Sequence, residues 1–182
     1  MKGKISITIA AVLLATPVSA DMSKEDMIKR GEYIVATSGC NDCHTPWKMG
    51  DNGPEPDMNL MLSGHPESLV ITEVPPITEP WVALTYATNT AIAAPWGVSF
   101  TANLTPDPET GVLRDYTEEQ FLLAMRTGRH LGQGRPILPP MPWSVYGQMT
   151  DDDLKSIFAY LGQIPAIRNK VQEPLPPANA VN

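Results

Sequence analysis

The chain has 182 residues, of which 42% are hydrophobic and 18% are charged, with 19 prolines and 13 glycines. This composition excludes a polar disordered chain or a collagen-like one, and the length favours a single compact domain. The formal net charge of −7 is unfavourable for a nucleic-acid-binding surface, because such surfaces neutralise phosphates with lysine and arginine.

Residues 1–20 have the pattern of a secretory signal peptide. Lys2 and Lys4 precede an apolar run that ends in small residues at Ala20. We expect export to the periplasm and a mature chain that begins at Asp21. Because the removed segment holds two lysines and no acidic residue, the remaining chain has 11 basic and 20 acidic residues. No later segment supplies the roughly 18 consecutive apolar residues that a membrane span needs.

The first element after the signal peptide is a predicted helix over residues 23–37. Ser23 is a suitable N-cap, and Ile28 and Ile34 belong to an apolar face at helical spacing. Gly31 lies in the middle of this helix, where glycine costs about 1 kcal/mol relative to alanine. It therefore indicates either a close approach of another helix or a tolerated glycine.

The two cysteines of the chain, Cys40 and Cys43, are followed directly by His44. Cys-x-x-Cys-His is the attachment pattern of c-type haem. Two thiols at this spacing can add to the two vinyl groups on one side of the porphyrin, and the next side chain then reaches the iron as an imidazole. The pattern predicts one haem c, covalently attached through Cys40 and Cys43.

Three other uses of the cysteine pair compete with haem attachment. An exported protein with two cysteines often forms a disulfide, and a thioredoxin-type redox pair has the same spacing. The redox motif begins a helix after a strand, whereas the residues before Cys40 are predicted to be helical. A structural zinc site needs four ligands, and the sequence has no second cysteine pair to supply them.

Residues 45–116 are the least regular part of the chain, with ten prolines and no alternation typical of a β-hairpin. Such a long loop is uncommon unless it is functional or wraps another group, and haem is a candidate for that group. A capping box at Thr117 begins a helix that ends at Gly128. The last predicted helix covers residues 151–162, with Thr150 as its N-cap. We therefore expect an all-α protein with about three main helices and long Pro-rich loops.

The second iron ligand is predicted to be Met141. Six methionines follow the cysteine motif, and methionine is most often core filler. Met141 differs because Pro140 and Pro142 hold an extended backbone that excludes helix and presents one side chain at a defined place. His65 and His130 are the alternatives, for bis-histidine ligation, although both are expected in exposed loops.

The motif at residues 40–44, the Asn-Leu-Thr-Pro-Asp stretch at 103–107 and the Pro-Met-Pro-Trp stretch at 140–143 occur in this order before the last helix. Together they resemble a class I monohaem cytochrome c, over most of residues 23–165. The resemblance is strongest to the cytochrome c subunits of periplasmic or membrane-associated dehydrogenases. It implies a cytochrome c domain over residues 21–170, followed by an extended or disordered Pro-rich tail over 171–182.

The resemblance also implies roles for single residues. His44 and Met141 would bind the iron from opposite sides, and Gly31 would mark the crossing of the first and last helices near Tyr160. The carbonyl of the Gly53-Pro54 pair would accept the hydrogen bond of the His44 imidazole, with Pro46 as the competing candidate.

The implied function is electron transfer, without an enzymatic activity of its own. The chain would pass single electrons from a periplasmic dehydrogenase to a respiratory acceptor, such as a cytochrome or an oxidase. Arg126, Arg129 and Arg135 would bind the haem propionates or an acidic partner, or would remain solvated. The alternative is a haem enzyme or ligand sensor with an open or labile distal site.

Overall fold

The computed structural model describes residues 22–177, and the predicted signal peptide lies outside the described residues. The elements of this part are, in chain order, α1 (Lys24–Thr37), α2 (Cys40–His44), β1 (Trp47–Gly50), β2 (Gly53–Pro56), β3 (Leu84–Thr85), β4 (Ala91–Ala94), β5 (Gly97–Phe100), α3 (Glu118–Thr127), α4 (Trp143–Tyr146) and α5 (Asp151–Leu161). Short 3₁₀ turns lie at Met58–Leu60 and His130–Gly132.

The prediction of an all-α fold is wrong, because residues 45–116 contain two antiparallel sheets. One sheet pairs β1 with β2, and the other has the strand order β3-β4-β5. The residues of β4 are buried in succession, so the strand lacks the alternation of a half-exposed strand. The overlooked signal for the first sheet is the turn-favouring pair Asp51-Asn52, which joins β1 to β2 and lies between Gly50 and Gly53.

The three long helices begin at the N-caps that the sequence predicts. The hydroxyl groups of Ser23, Thr117 and Thr150 each accept a hydrogen bond from the backbone N–H three residues later. At Thr117 the capping box is complete, because its own backbone N–H donates to the Gln120 side chain. Three aspartates in the first turn of α5 also suit the positive end of the helix dipole.

The main hydrophobic core lies where α1 crosses α5. Gly31 is at the crossing, where an added Cβ would overlap the Ser156 carbonyl and would lie 2.7 Å from the Tyr160 Cβ. The close approach of the two helices thus explains the glycine in the middle of α1. The buried residues of this core are Ile34, Val35, Leu62, Phe121, Leu154, Ile157, Leu161 and Ile164.

The described end of the chain, residues 171–177, is extended and lies against the three-stranded sheet. Val98 of β5 and Leu175 exchange two backbone hydrogen bonds of 3.0 Å. The Gln172 side chain forms hydrogen bonds with both the backbone N–H and the backbone carbonyl of Ile71.

Within residues 22–177, no helix is long and apolar enough to span a membrane.

Replacing Gly31 with alanine should lower the free energy of unfolding by about 1–3 kcal/mol, because the new methyl group cannot fit between α1 and α5. Gly162→Ala is the matched control. Gly162 has an ordinary helical φ of −74°, and its added Cβ would make only normal contacts of 3.5 Å or more. Urea unfolding measures both effects, and equal losses in the two variants would contradict the close crossing.

Candidate functional site

A cavity of about 830 Å³ lies between the helices and the three-stranded sheet. Its walls include Cys40, Cys43, His44 and Met141, the four residues that the sequence predicts to hold the cofactor. Three of them belong to the cysteine motif and the fourth lies about a hundred positions later, so it is the tertiary structure that places them around one cavity. The volume lies in the range of roughly 300–1,000 Å³ that is typical of ligand sites.

The short helix α2 carries the cysteine motif. Hydrogen bonds to its Asp42 carbonyl connect it to the sheet region. That carbonyl accepts hydrogen bonds from the Trp47 indole N–H at 2.9 Å and from the Asn89 side-chain amide at 2.7 Å. At the end of the helix the Thr45 hydroxyl donates to Asn41. The position of the motif therefore depends on β1 and on the turn between β3 and β4, and not on α2 alone.

The His44 imidazole is oriented by a hydrogen bond from its Nδ1–H to the carbonyl oxygen of Ala102, at 2.8 Å. The expectation that Gly53-Pro54 or Pro46 supplies this acceptor is wrong. Gly53 and Pro54 belong to β2, and the Pro46 carbonyl accepts from Asp57. Burial lowers the pKa of His44, which favours the neutral ring. With Nδ1 as donor, Nε2 retains the lone pair that a metal ligand needs.

Cys40 and Cys43 are both free thiols, and their surroundings favour the protonated form. Burial raises the pKa of Cys40 to about 11, and burial followed by the nearby Asp42 carboxylate raises the pKa of Cys43. A thioredoxin-type redox cysteine needs the opposite shift, because the thiolate is its reactive form. These surroundings argue against the redox-pair interpretation of the motif.

The Met141 loop is held from two sides. The Ser99 hydroxyl of β5 donates to the Pro139 carbonyl at 2.7 Å, and the Tyr146 hydroxyl of α4 donates to the Ser38 carbonyl at 2.6 Å. The second bond connects the loop region to the residues directly before the cysteine motif. Met125 of α3 also lines the cavity, so a second thioether is available there.

The two histidine alternatives have different surroundings. The expectation that His65 is exposed is wrong: its ring is fully buried, with Nδ1 near the Thr90 hydroxyl at 2.9 Å and Nε2 donating to the Leu69 carbonyl at 2.7 Å. Both of its nitrogens are therefore occupied. His130 is partly buried and lines the cavity, and its Nδ1 lies 3.2 Å from the Tyr116 hydroxyl.

The basic residues near Met141 do not form one cluster. Arg126 contacts the Gly147 carbonyl and forms an ion pair with Asp151, and Arg129 donates to the Gly134 carbonyl. Arg135 instead lines the cavity. Further cations on the cavity wall come from distant segments, which local sequence patterns cannot reveal: Arg114, Arg168 and Lys170.

Several known proteins that are similar to this chain are cytochrome subunits of dehydrogenases. The chain is 31% identical over 157 residues to the alcohol dehydrogenase (quinone) cytochrome c subunit of Gluconobacter oxydans (strain 621H), covering 85% of this chain and 25% of that protein. It is 30% identical over 165 residues to the fructose dehydrogenase cytochrome subunit of Gluconobacter japonicus, covering 88% and 26%. The gluconate 2-dehydrogenase cytochrome c subunit of Pantoea cypripedii is 25% identical over 160 residues, covering 88% and 28%.

These relatives confirm the resemblance to cytochrome c subunits of dehydrogenases. The chain spans about a quarter of the length of each of them. No protein-family model matches the chain.

The Tyr146→Phe variant should unfold with a free energy about 1 kcal/mol lower than that of the unaltered chain, because the partly buried hydroxyl loses its bond to the Ser38 carbonyl. Burial raises the pKa of Tyr146 to about 12, so the hydroxyl is a donor throughout the neutral range. Tyr33→Phe is the control, since that side chain is 69% exposed. Chemical denaturation at pH 7 measures the difference, and an equal effect in both variants would contradict this role.

Proposed function

We propose that this chain is a c-type cytochrome that carries one haem and passes single electrons from a periplasmic dehydrogenase to a respiratory acceptor. The observation that carries the proposal is the convergence of Cys40, Cys43, His44 and Met141 on one cavity of about 830 Å³. The named relatives support the same class, as cytochrome subunits of alcohol, fructose and gluconate dehydrogenases.

Covalent attachment uses the thiols of Cys40 and Cys43. Each thiol would hold the haem by a carbon–sulfur bond to one vinyl group, and its S–H hydrogen would go to the neighbouring carbon of that group. The addition needs no oxidant or reductant. Both thiols line the cavity and are protonated at neutral pH, so each side chain brings the hydrogen that the addition requires.

His44 and Met141 are the residues proposed to bind the haem iron. When bound, haem supplies an iron that changes its charge by one electron. The His44 ring offers Nε2 because its Nδ1–H is bonded to Ala102, and Met141 offers a thioether sulfur in the same cavity. Thioether ligation and an apolar pocket favour the reduced state and raise the reduction potential.

Arg135 is the proposed partner of the haem propionates among the three arginines near Met141. Its side chain lines the cavity, whereas Arg126 and Arg129 bond to neighbouring protein groups. On this proposal Arg135 has a cofactor role, and the other two arginines brace α3 and the loop after it.

The proposal also covers the electron donor, the electron acceptor and the cellular location of the chain. The dehydrogenase donor follows from the printed names of the relatives, and a periplasmic location follows from the signal peptide predicted at residues 1–20. The acceptor would be another cytochrome or an oxidase.

Optical spectra of the purified protein and of Met141→Ala test the ligation. We expect a low-spin spectrum with the far-red sulfur-to-iron band, lost in Met141→Ala, and no binding of carbon monoxide by the unaltered ferrous protein. Met125→Leu is the matched control, because Met125 is the other described methionine that lines the cavity. That variant should keep the band.

Three results would redirect the assignment. Loss of the band in Met125→Leu alone would move the ligand to α3. Rapid carbon monoxide binding by the unaltered protein would favour the haem enzyme or sensor. A low-spin spectrum without the sulfur band that depends on His130 would indicate bis-histidine ligation.

A further inference from the structure

We propose that Gly64 is a positioning residue that sets the strength of the His44 hydrogen bond and thereby the reduction potential of the bound haem. This inference rests on the proposed haem ligation by His44. Gly64 lies in sequence well after the cysteine motif and is in contact with both partners of the hydrogen bond from His44 to Ala102. The sequence patterns give it no such role.

Gly64 connects directly to the ligand residue and to the acceptor segment. Its backbone N–H donates to the His44 carbonyl at 2.8 Å. Its φ of +78° is a conformation that side-chain-bearing residues rarely adopt. An added Cβ would lie 2.5 Å from the Thr101 carbonyl oxygen and 2.7 Å from the Ala102 carbonyl oxygen. The acceptor of the His44 bond therefore fits against Gly64 only because no side chain is present.

The residues on either side of Gly64 are held in place by Asn169. The side-chain amide of Asn169 donates to the carbonyls of Ser63 at 2.7 Å and His65 at 2.8 Å, and Asn169 itself is buried. The backbone N–H of His65 also donates to the Thr101 carbonyl at 3.0 Å. The segment 63–65 is thus fixed to the residues directly after β5, which include Ala102.

This arrangement acts on the iron through the imidazole. A strong bond from Nδ1–H to a carbonyl raises the basicity of Nε2, and a more basic ligand stabilises the oxidised metal. A Cβ on residue 64 would displace the Ala102 carbonyl and lengthen the bond. The oxidised state then loses stabilisation, and the reduction potential rises.

The test compares the haem-loaded Gly64→Ala variant with the unaltered holoprotein. We expect the ratio of reduced to oxidised haem at a fixed applied potential to rise about threefold or more, in a spectroelectrochemical titration. In proton NMR spectra of the same samples, the Nδ1–H of His44 should exchange with solvent about tenfold faster.

Gly53→Ala is the matched control. Gly53 also has a positive φ, of 117°, but an added Cβ there meets no atom within 4 Å. It introduces the same kind of backbone strain far from the His44 bond, so it should lower stability without changing the potential or the exchange rate.

A second variant tests the role of the segment around Gly64 if Gly64→Ala does not accumulate as folded holoprotein. Asn169→Ala removes the two bonds to the carbonyls of Ser63 and His65, together with the bond that Asn169 accepts from the Glu67 backbone N–H, and adds no atom. It should change the potential and the exchange rate in the same direction, by smaller factors. Asn59→Ala, at an exposed asparagine, is its control.

The outcomes separate the two proposals. Haem-loaded variants with the potential and the exchange rate of the unaltered protein would overturn the role of Gly64 and leave the haem ligation standing. An unaltered protein that attaches no haem would overturn the proposed function, and this inference with it.

Discussion

The hydrogen bond from His44 Nδ1–H to the Ala102 carbonyl is the interaction on which the site depends. It joins the cysteine motif to a segment 58 residues later in the chain, so the motif acquires its geometry only when the sheet region has folded against it. The bond also decides which ring nitrogen is left with a lone pair. Without it, the imidazole would lack a defined tautomer and a defined direction into the cavity.

The long irregular segment between α2 and α3 is the framework of the cavity and not a loose connection. Its strands brace both sides of the site. Asn89, just before β4, bonds the carbonyl of Asp42 in the cysteine motif, and Ser99 of β5 bonds the carbonyl of Pro139 in the methionine loop. One small sheet thereby controls the spacing between the two segments that carry the proposed iron ligands.

The helix crossing and the sheet region have separate parts in the architecture. The crossing of α1 and α5 at Gly31 forms the main core, and α2 follows α1 after only two residues. The position of the motif is therefore set at one end by the core. The other end is set by polar contacts to the sheet region, where buried side chains such as His65 and Asn169 bond backbone groups. Apolar packing and a polar network meet at the cavity.

The sequence by itself determined the three long helices, because caps and apolar spacing act within a few residues. It also indicated the four candidate haem-binding residues, because the spacing of the motif and the prolines around Met141 are local signals. It did not reveal the three-stranded sheet, because β4 is buried throughout and shows no alternation. The acceptor at Ala102, the burial of His65 and the separation of Arg135 from its neighbours were decided by the tertiary structure. Each depends on contacts between residues far apart in the chain, and such contacts leave no periodic pattern in the sequence.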